Sequence, residues 1–168
     1  RFTREPDDRG KVIGENLHMD MAWMENPPAV TMLYGEVIPP VGGDTLFASL
    51  SAAYEGLSDT MQDLIRNLIG VHEGKGVFAV NAVHKSLGVR ASAQAVEEIV
   101  AHHPLVCCHP TTGRPHLFLS GVLNRFVGMT EAESQPIISF LQSHAQRVEY
   151  ACRLRWATGT LTMWSNTC

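Results

Sequence analysis

Val148-Glu149-Tyr150-Ala151-Cys152-Arg153-Leu154-Arg155-Trp156 puts apolar side chains at every second position, and Ala157-Thr158-Gly159 separates it from a second β-rich run, Thr160 to Trp164. A period of two places Val148, Tyr150, Cys152, Leu154 and Trp156 on one face of an extended chain, so the stretch predicts a half-buried strand that turns back into a hairpin. The same signal recurs upstream. Val30 to Ile38 is rich in β-formers and bounded by Pro27-Pro28 and Pro39-Pro40, which predicts a buried strand. Gly42-Gly43-Asp44 makes a turn into a short strand, Thr45 to Ser49, and Leu105–His109 and Pro115–Ser120 flank Pro110-Thr111-Thr112-Gly113 as a further hairpin. Helices are fewer. A helical stretch is expected near Ala52 to Leu57. One helix follows Ser58, on the stripe Met61, Leu64, Ile65, Leu68 and Ile69, with Gly70 ending it. A second follows Thr130-Glu131-Ala132-Glu133, whose spacing is that of a capping box, and runs to about His144. Val71 to Arg90 shows no sustained period and reads as a long loop. Strands in pairs with about two helices and no regular βαβ alternation predict a mainly β fold, a double-sheet jelly roll with helical insertions.

Composition narrows the classes of function. The 168 residues are about one domain's worth, and a hydrophobic content of 45% is ample for a core. A formal net charge of −4, without a basic block, argues against nucleic acid as a partner. No apolar run approaches the roughly 20 residues a membrane span needs, and Arg1 to Arg9 carry charge where a secretory signal would carry an apolar core. A soluble, cytoplasmic chain is expected. Cys107, Cys108, Cys152 and Cys168 contain no C-x-x-C and read as reduced thiols. The chain begins at Arg1 without a methionine and stops at Cys168 directly after a strand-like run, so residues 1–168 are expected to be one partial domain of a longer protein.

His18-Met19-Asp20 is the first constellation with chemistry. On an extended strand an imidazole and a carboxylate at i and i+2 point to one side and can converge on one ion. Iron(II) in oxygenases commonly takes two histidines and one carboxylate on one octahedral face. By spacing alone H-x-D does not separate an incidental pair from a metal site. His72, His84, His102, His103, His109, His116 and His144 are scattered over loops, strand ends and a helix end, where solvated or capping roles are expected. Cys107 and Cys108 point to opposite faces of a strand and cannot jointly grip an ion.

The context of the pair is more specific. Asn16-Leu17-His18-Met19-Asp20-Met21-Ala22-Trp23, Pro27-Pro28, Met32-Leu33-Tyr34-Gly35 and Pro39-Pro40-Val41-Gly42-Gly43-Asp44-Thr45-Leu46-Phe47 form one block. It continues through Ala53 to Ser58, His103-Pro104-Leu105-Val106, His109 to Arg114, Leu117-Phe118-Leu119, Arg155-Trp156 and Trp164-Ser165-Asn166. This pattern resembles the taurine/2,4-dichlorophenoxyacetate dioxygenase family of iron(II)- and 2-oxoglutarate-dependent enzymes, over nearly the whole chain.

The resemblance implies a double-stranded β-helix, the cupin-like jelly roll. It implies that His18 and Asp20 are catalytic iron ligands. It also implies that the Thr45 hydroxyl helps bind a 2-oxoglutarate carboxylate and that Trp156 sits beside that cosubstrate. The residues alone leave Thr45 open as a turn-exit threonine and Trp156 as an inward core aromatic. The implied cofactors are Fe(II), 2-oxoglutarate and O2. The implied reaction is hydroxylation of a small organic acid, of sulfonate or aryloxyalkanoate type, with release of succinate and CO2. Met19, Met21, Trp23 and Met24 lean towards an apolar substrate. Expected partners are a small-molecule substrate, no nucleic acid and no membrane, and a homo-oligomer is compatible with the sequence. The departures are Leu17 where the family has Trp, Met19 where it often has a small hydroxyl residue, and Trp164-Ser165-Asn166-Thr167 where it has Trp-Asp-Asn-Arg. The family's second iron-binding His and its 2-oxoglutarate-binding Arg fall beyond Cys168. Two other readings are a jelly-roll module without activity and a cupin with a different cosubstrate. The Gly-Gly-Asp-Thr match argues against the latter.

Overall fold

The prolines at 27–28 and 39–40 do delimit a strand, but a shorter one, because Gly35 and the turn after it end the pairing early. In the computed structural model, which describes residues 16–74, 100–166 and 168, β1 runs Val30–Tyr34 and β2 Thr45–Ala48. Between them Gly42 and Gly43 adopt φ of +83° and +77°, left-handed backbone that glycine reaches without steric cost. The chain continues through α1 (Leu50–Glu55), α2 (Asp59–Ile65), β3 (Ile69–Glu73), β4 (Val100–Pro104), β5 (Val106–Cys108), β6 (Pro115–Leu117), β7 (Leu123–Phe126) and α3 (Glu131–Ala145). After a 3-10 turn at Val148–Tyr150 it closes with β8 (Ala151–Leu154) and β9 (Leu161–Ser165).

The C-terminal hairpin is a correction. β8 and β9 do not pair with each other: β8 lies antiparallel to β2, with Thr45 opposite Leu154, and β9 lies antiparallel to β1, with Thr31 opposite Trp164. Residues 155–160 carry the chain from one sheet to the other. The crossing is anchored where Gly35 N–H donates to the Thr160 carbonyl and Gly159 N–H to the Gly35 carbonyl, each at 2.8 Å. Period-two patterning identifies strands, whereas partners are chosen by which edges tertiary packing leaves open. The predicted buried face of β1 is likewise corrected, since Val30, Met32 and Tyr34 are exposed together with Leu161 and Met163 opposite them.

The remaining sheets are β4-β3-β7 and the β5-β6 hairpin, which forms as expected around Gly113. The stripe starting at Ser58 makes a helix of seven residues only. Ser58 caps α2 by accepting from Met61 N–H, but the chain then extends, and Ile69 and Gly70 belong to β3. Gly70 is required there by close packing: a Cβ would lie 2.6 Å from Leu123 Cδ1 and 2.9 Å from His72 Nε2. The long-loop assignment for Val71 to Arg90 is therefore corrected at Val71–Glu73, and residues 75–99 lie outside those described.

The helix from Thr130 carries its capping box in full, with Thr130 accepting from Glu133 N–H and the Glu133 carboxylate accepting from Thr130 N–H. Its buried positions Ile138, Leu141 and Ala145 join Leu50, Ala53, Ile65, Leu117 and Phe126 in one core. That core lies under the helices and β6-β7 and leaves the β1-β9 and β2-β8 sheets more exposed. Four histidines expected at the surface are buried instead. His72 has no accessible surface, and His103, His116 and His144 are each at most 8% exposed. Hydrogen bonds replace water for three of them, His72 with Ser120 Oγ at 2.8 Å, His103 with two carbonyls and His144 with the Ala53 carbonyl at 2.9 Å, while His72 Nε2 and His116 Nδ1 have no partner among the described residues. Among the described residues no helix is long and apolar enough to cross a membrane.

Candidate active site

His18 and Asp20 do not lie on a strand. They occupy an irregular segment that turns at residues 20–23, yet alternation still holds locally, with Met19 buried in the core and its two neighbours facing outward together. His18 Nε2 stands 3.5 Å from Asp20 Oδ1.

The remaining polar atoms of the pair are tied off. His18 Nδ1 donates to the Asn16 carbonyl at 2.9 Å, which leaves the Nε2 lone pair directed at Asp20 in the neutral ring. Thr31, on β1, donates its hydroxyl to Asp20 Oδ2 at 2.7 Å, so only Oδ1 is turned to the imidazole. In the protonated ring Nε2–H donates to Oδ1 instead, and that one proton satisfies both groups. The mutual hydrogen bond holds His18 above its ordinary value against the opposing effect of burial, and holds Asp20 below its own.

Two lone pairs 3.5 Å apart, each anchored from behind, also suit a shared cation, since the gap is under twice a metal–ligand bond of about 2.0–2.2 Å. The donor set therefore fits two ligands of a facial triad. Among the described residues no third His, Cys, Asp or Glu joins them.

The backbone around the pair is specified from two sides. Met21 adopts φ of +55°, an uncommon conformation for a side chain of its size, and Met24 N–H closes the turn onto the Met21 carbonyl at 2.9 Å. His103 reaches across from β4 and donates from Nε2 to the Ala22 and Met24 carbonyls at 3.1 and 3.0 Å, while its ring stacks on Phe118 with centroids 4.3 Å apart. At the other end Asn166, 4% exposed, is bonded to both the N–H and the carbonyl of Asp20. His103, expected to be solvated or capping, and Asn166 both belong to the motif block. Sequence spacing holds no signal that either would close on the His18 turn, because the contacts span 79 to 146 residues.

Thr45 and Trp156 are brought together. The Trp156 indole N–H donates to Thr45 Oγ1 at 2.9 Å, and that hydroxyl keeps its own proton to donate onward. Thr45 and Phe47 share a face of β2, and Phe47 meets the Trp164 ring of β9 at 5.1 Å, which links this sheet to the one that carries Thr31. Asp44, next to Thr45, is paired with Arg153 across the strands at 2.6 Å. Among the departures, Met19 points into the core and Leu17 packs against it, so Met19 gives no support to an apolar substrate surface. Met21 and Met24 are partly exposed. Thr167 lies outside the described residues.

A jelly-roll frame that carries a His-x-Asp turn and a Gly-Gly-Asp-Thr entry into β2 defines the class of scaffold. Comparison with known proteins places the chain within it: residues 2–168 match the taurine catabolism dioxygenase TauD, TfdA family, and the chain belongs to that family. An alpha-ketoglutarate-dependent sulfate ester dioxygenase of Pseudomonas putida is 30% identical, over 99% of this chain and 56% of its own length. An alpha-ketoglutarate-dependent 2,4-dichlorophenoxyacetate dioxygenase of Cupriavidus pinatubonensis is 30% identical, over 95% of this chain and 54% of its own length. Among solved structures, that of AAD-2 in complex with Mn(II) and N-oxalylglycine superimposes with a TM-score of 0.75 at 27% identity, covering 89% of this chain and 53% of that one. The chain thus spans about half the length of the relatives it matches.

Proposed function

We propose that this chain is the iron- and cosubstrate-binding portion of a 2-oxoglutarate-dependent dioxygenase that hydroxylates a small organic acid of sulfonate or aryloxyalkanoate type in the cytoplasm. One observation carries the reading: the Nε2 of His18 and the Oδ1 of Asp20 face each other at 3.5 Å with every other polar atom of the two side chains already bonded. The two relatives are named for a sulfate ester and for 2,4-dichlorophenoxyacetate, and the second supports the aryloxyalkanoate type.

His18 and Asp20 would hold the metal, and Thr45 would donate its hydroxyl to a 2-oxoglutarate carboxylate with Trp156 fixing the orientation of that hydroxyl. Iron(II), when bound, supplies Lewis acidity and the redox chemistry of dioxygen. Overall, substrate C–H, O2 and 2-oxoglutarate become substrate C–OH, succinate and CO2. The protein's share is placement. Asn16 keeps the His18 proton on Nδ1, Thr31 occupies Oδ2 of Asp20, and Met19 between them is buried in the core.

The test is succinate formation from 2-oxoglutarate with added iron(II), in this chain and in the full-length product of its reading frame, each beside His18→Ala. Succinate formed by the full-length protein and lost in His18→Ala is the result expected. A folded, iron-loaded full-length protein that forms none overturns the reading in favour of a jelly-roll module without catalysis.

A further inference from the structure

We propose that Asn166 is the positioning residue of the candidate metal centre, its side-chain amide fixing the backbone of Asp20 on both sides and so holding the carboxylate where Thr31 takes Oδ2 and Oδ1 faces His18. This rests on the reading of His18 and Asp20 as metal ligands.

Asn166 follows β9 by one residue, and its backbone N–H donates to the Ala29 carbonyl at 2.9 Å, prolonging the β1-β9 pairing in which Val30 faces Ser165. That ladder delivers the side chain, 4% exposed, under the turn that carries Asp20. There Oδ1 accepts from Asp20 N–H at 2.7 Å, and Nδ2 donates to the Asp20 carbonyl at 2.8 Å and to the Pro28 carbonyl at 2.9 Å. Both amide protons are used. The orientation admits no alternative: a flipped amide would set NH2 against N–H and oxygen against two carbonyls, losing all three bonds.

Asp20 is the residue that needs such a clamp. It precedes Met21, whose φ of +55° is a conformation the surrounding structure must impose. With N–H and carbonyl held by Asn166 and Oδ2 held by Thr31, the one polar atom of Asp20 left for a ligand bond is Oδ1, the atom 3.5 Å from His18 Nε2. Asn166 touches no ligand atom itself. It acts through the backbone of one that does, and side chains that orient metal ligands typically change metal affinity by about 10–100-fold when removed.

The experiment compares, in the full-length product of the reading frame, the wild type with Asn166→Ala, Asn166→Asp, His18→Ala and a remote control, Ser134→Ala, which removes a buried hydroxyl that accepts from Phe126 N–H at 3.0 Å. Asn166→Asp keeps size and the acceptor for Asp20 N–H but turns an oxygen on two carbonyls, so it decides the matter where Asn166→Ala fails to fold. Two readouts are taken at a temperature where circular dichroism shows each protein folded: Co(II) affinity, with its visible spectrum, and hydrogen exchange at the Asp20 amide.

Expected are a Co(II) dissociation constant raised at least about tenfold in both Asn166 variants and unchanged in Ser134→Ala. The Asp20 amide should exchange at least about tenfold faster in Asn166→Ala, with the Met24 amide still protected. Unchanged Asp20 exchange, or faster exchange with unchanged Co(II) affinity, overturns the proposal. A full-length wild type that binds Co(II) no better than its His18→Ala variant overturns the metal reading itself and the proposal with it. The Asp20 exchange result then still shows whether the clamp forms.

Discussion

His72 offers the sharpest test of the structure in solution. Its ring sits on β3 with no accessible surface, edge-on to Phe118 and to His103 at 5.2 Å from each. Nδ1 is bonded to Ser120, and Nε2 has no hydrogen-bond partner among the described residues. Burial above all, then the neighbouring His103 and His102, pushes the ring from its ordinary 6.5 down to about 3. A histidine held neutral in the fold binds its proton more readily when unfolded. Its contribution is therefore complete above pH 6.5 and is lost as pH falls towards 3. At pH 4 the unfolded ring is charged and the folded one largely is not, which on about 1.4 kcal/mol per pH unit removes about 3 kcal/mol of stability. With an m-value of about 2 kcal/mol/M, that is a fall of about 1.5 M in the urea midpoint. Carboxylates and other histidines titrate in the same range, so the quantity to measure is the difference between wild type and His72→Leu, in which they cancel. Urea midpoints of both proteins at pH 7.5, 6, 5 and 4 should show wild type losing about 3 kcal/mol relative to the variant. A difference constant across that range refutes the argument, because the ring then keeps access to water or a partner for its proton.

Three further outcomes follow from the same geometry. Phe126→Ala should cost about 3–5 kcal/mol, read from urea unfolding, since its ring has no accessible surface and lies where β7 meets the core. Thr130→Ala removes the acceptor for Glu133 N–H at the start of α3 and should cost about 1 kcal/mol in the same assay. Cys108 is exposed, whereas burial, and secondarily Cys108 itself, pushes the half-buried Cys107 thiol up. Iodoacetamide at pH 8 should therefore modify Cys108 first, with peptide mass spectrometry placing Cys107 slower by about tenfold.

Local chemistry was legible wherever the responsible residues are close in the chain. The capping box at Thr130, the Ser58 cap, the Gly113 hairpin and the glycine turn before Thr45 all form as their short-range spacing dictates, because each needs only neighbours within about four residues. His18 and Asp20 converge for the same reason, although on a turn and not a strand. Pairing was beyond the sequence. The alternation at 148–164 marks β-structure but carries no information on which edge each strand meets, and the two strands part to join β2 and β1, more than 100 residues earlier. The stripe after Ser58 fits a helix as well as a helix running into a strand, and the contest was decided by β4 and β7 closing on Ile69–Glu73. Histidine placement was decided the same way: whether a ring is solvated or buried depends on a hydroxyl or carbonyl supplied from elsewhere, as by Ser120 to His72 and Ala53 to His144. The sequence by itself determined the local turns, the caps, the β-rich character and the His-x-Asp pair. Only the tertiary structure decided the partners, because hydrogen bonds such as those between Asn166 and Asp20 exist once two segments 146 residues apart are packed together and have no signature in either segment alone.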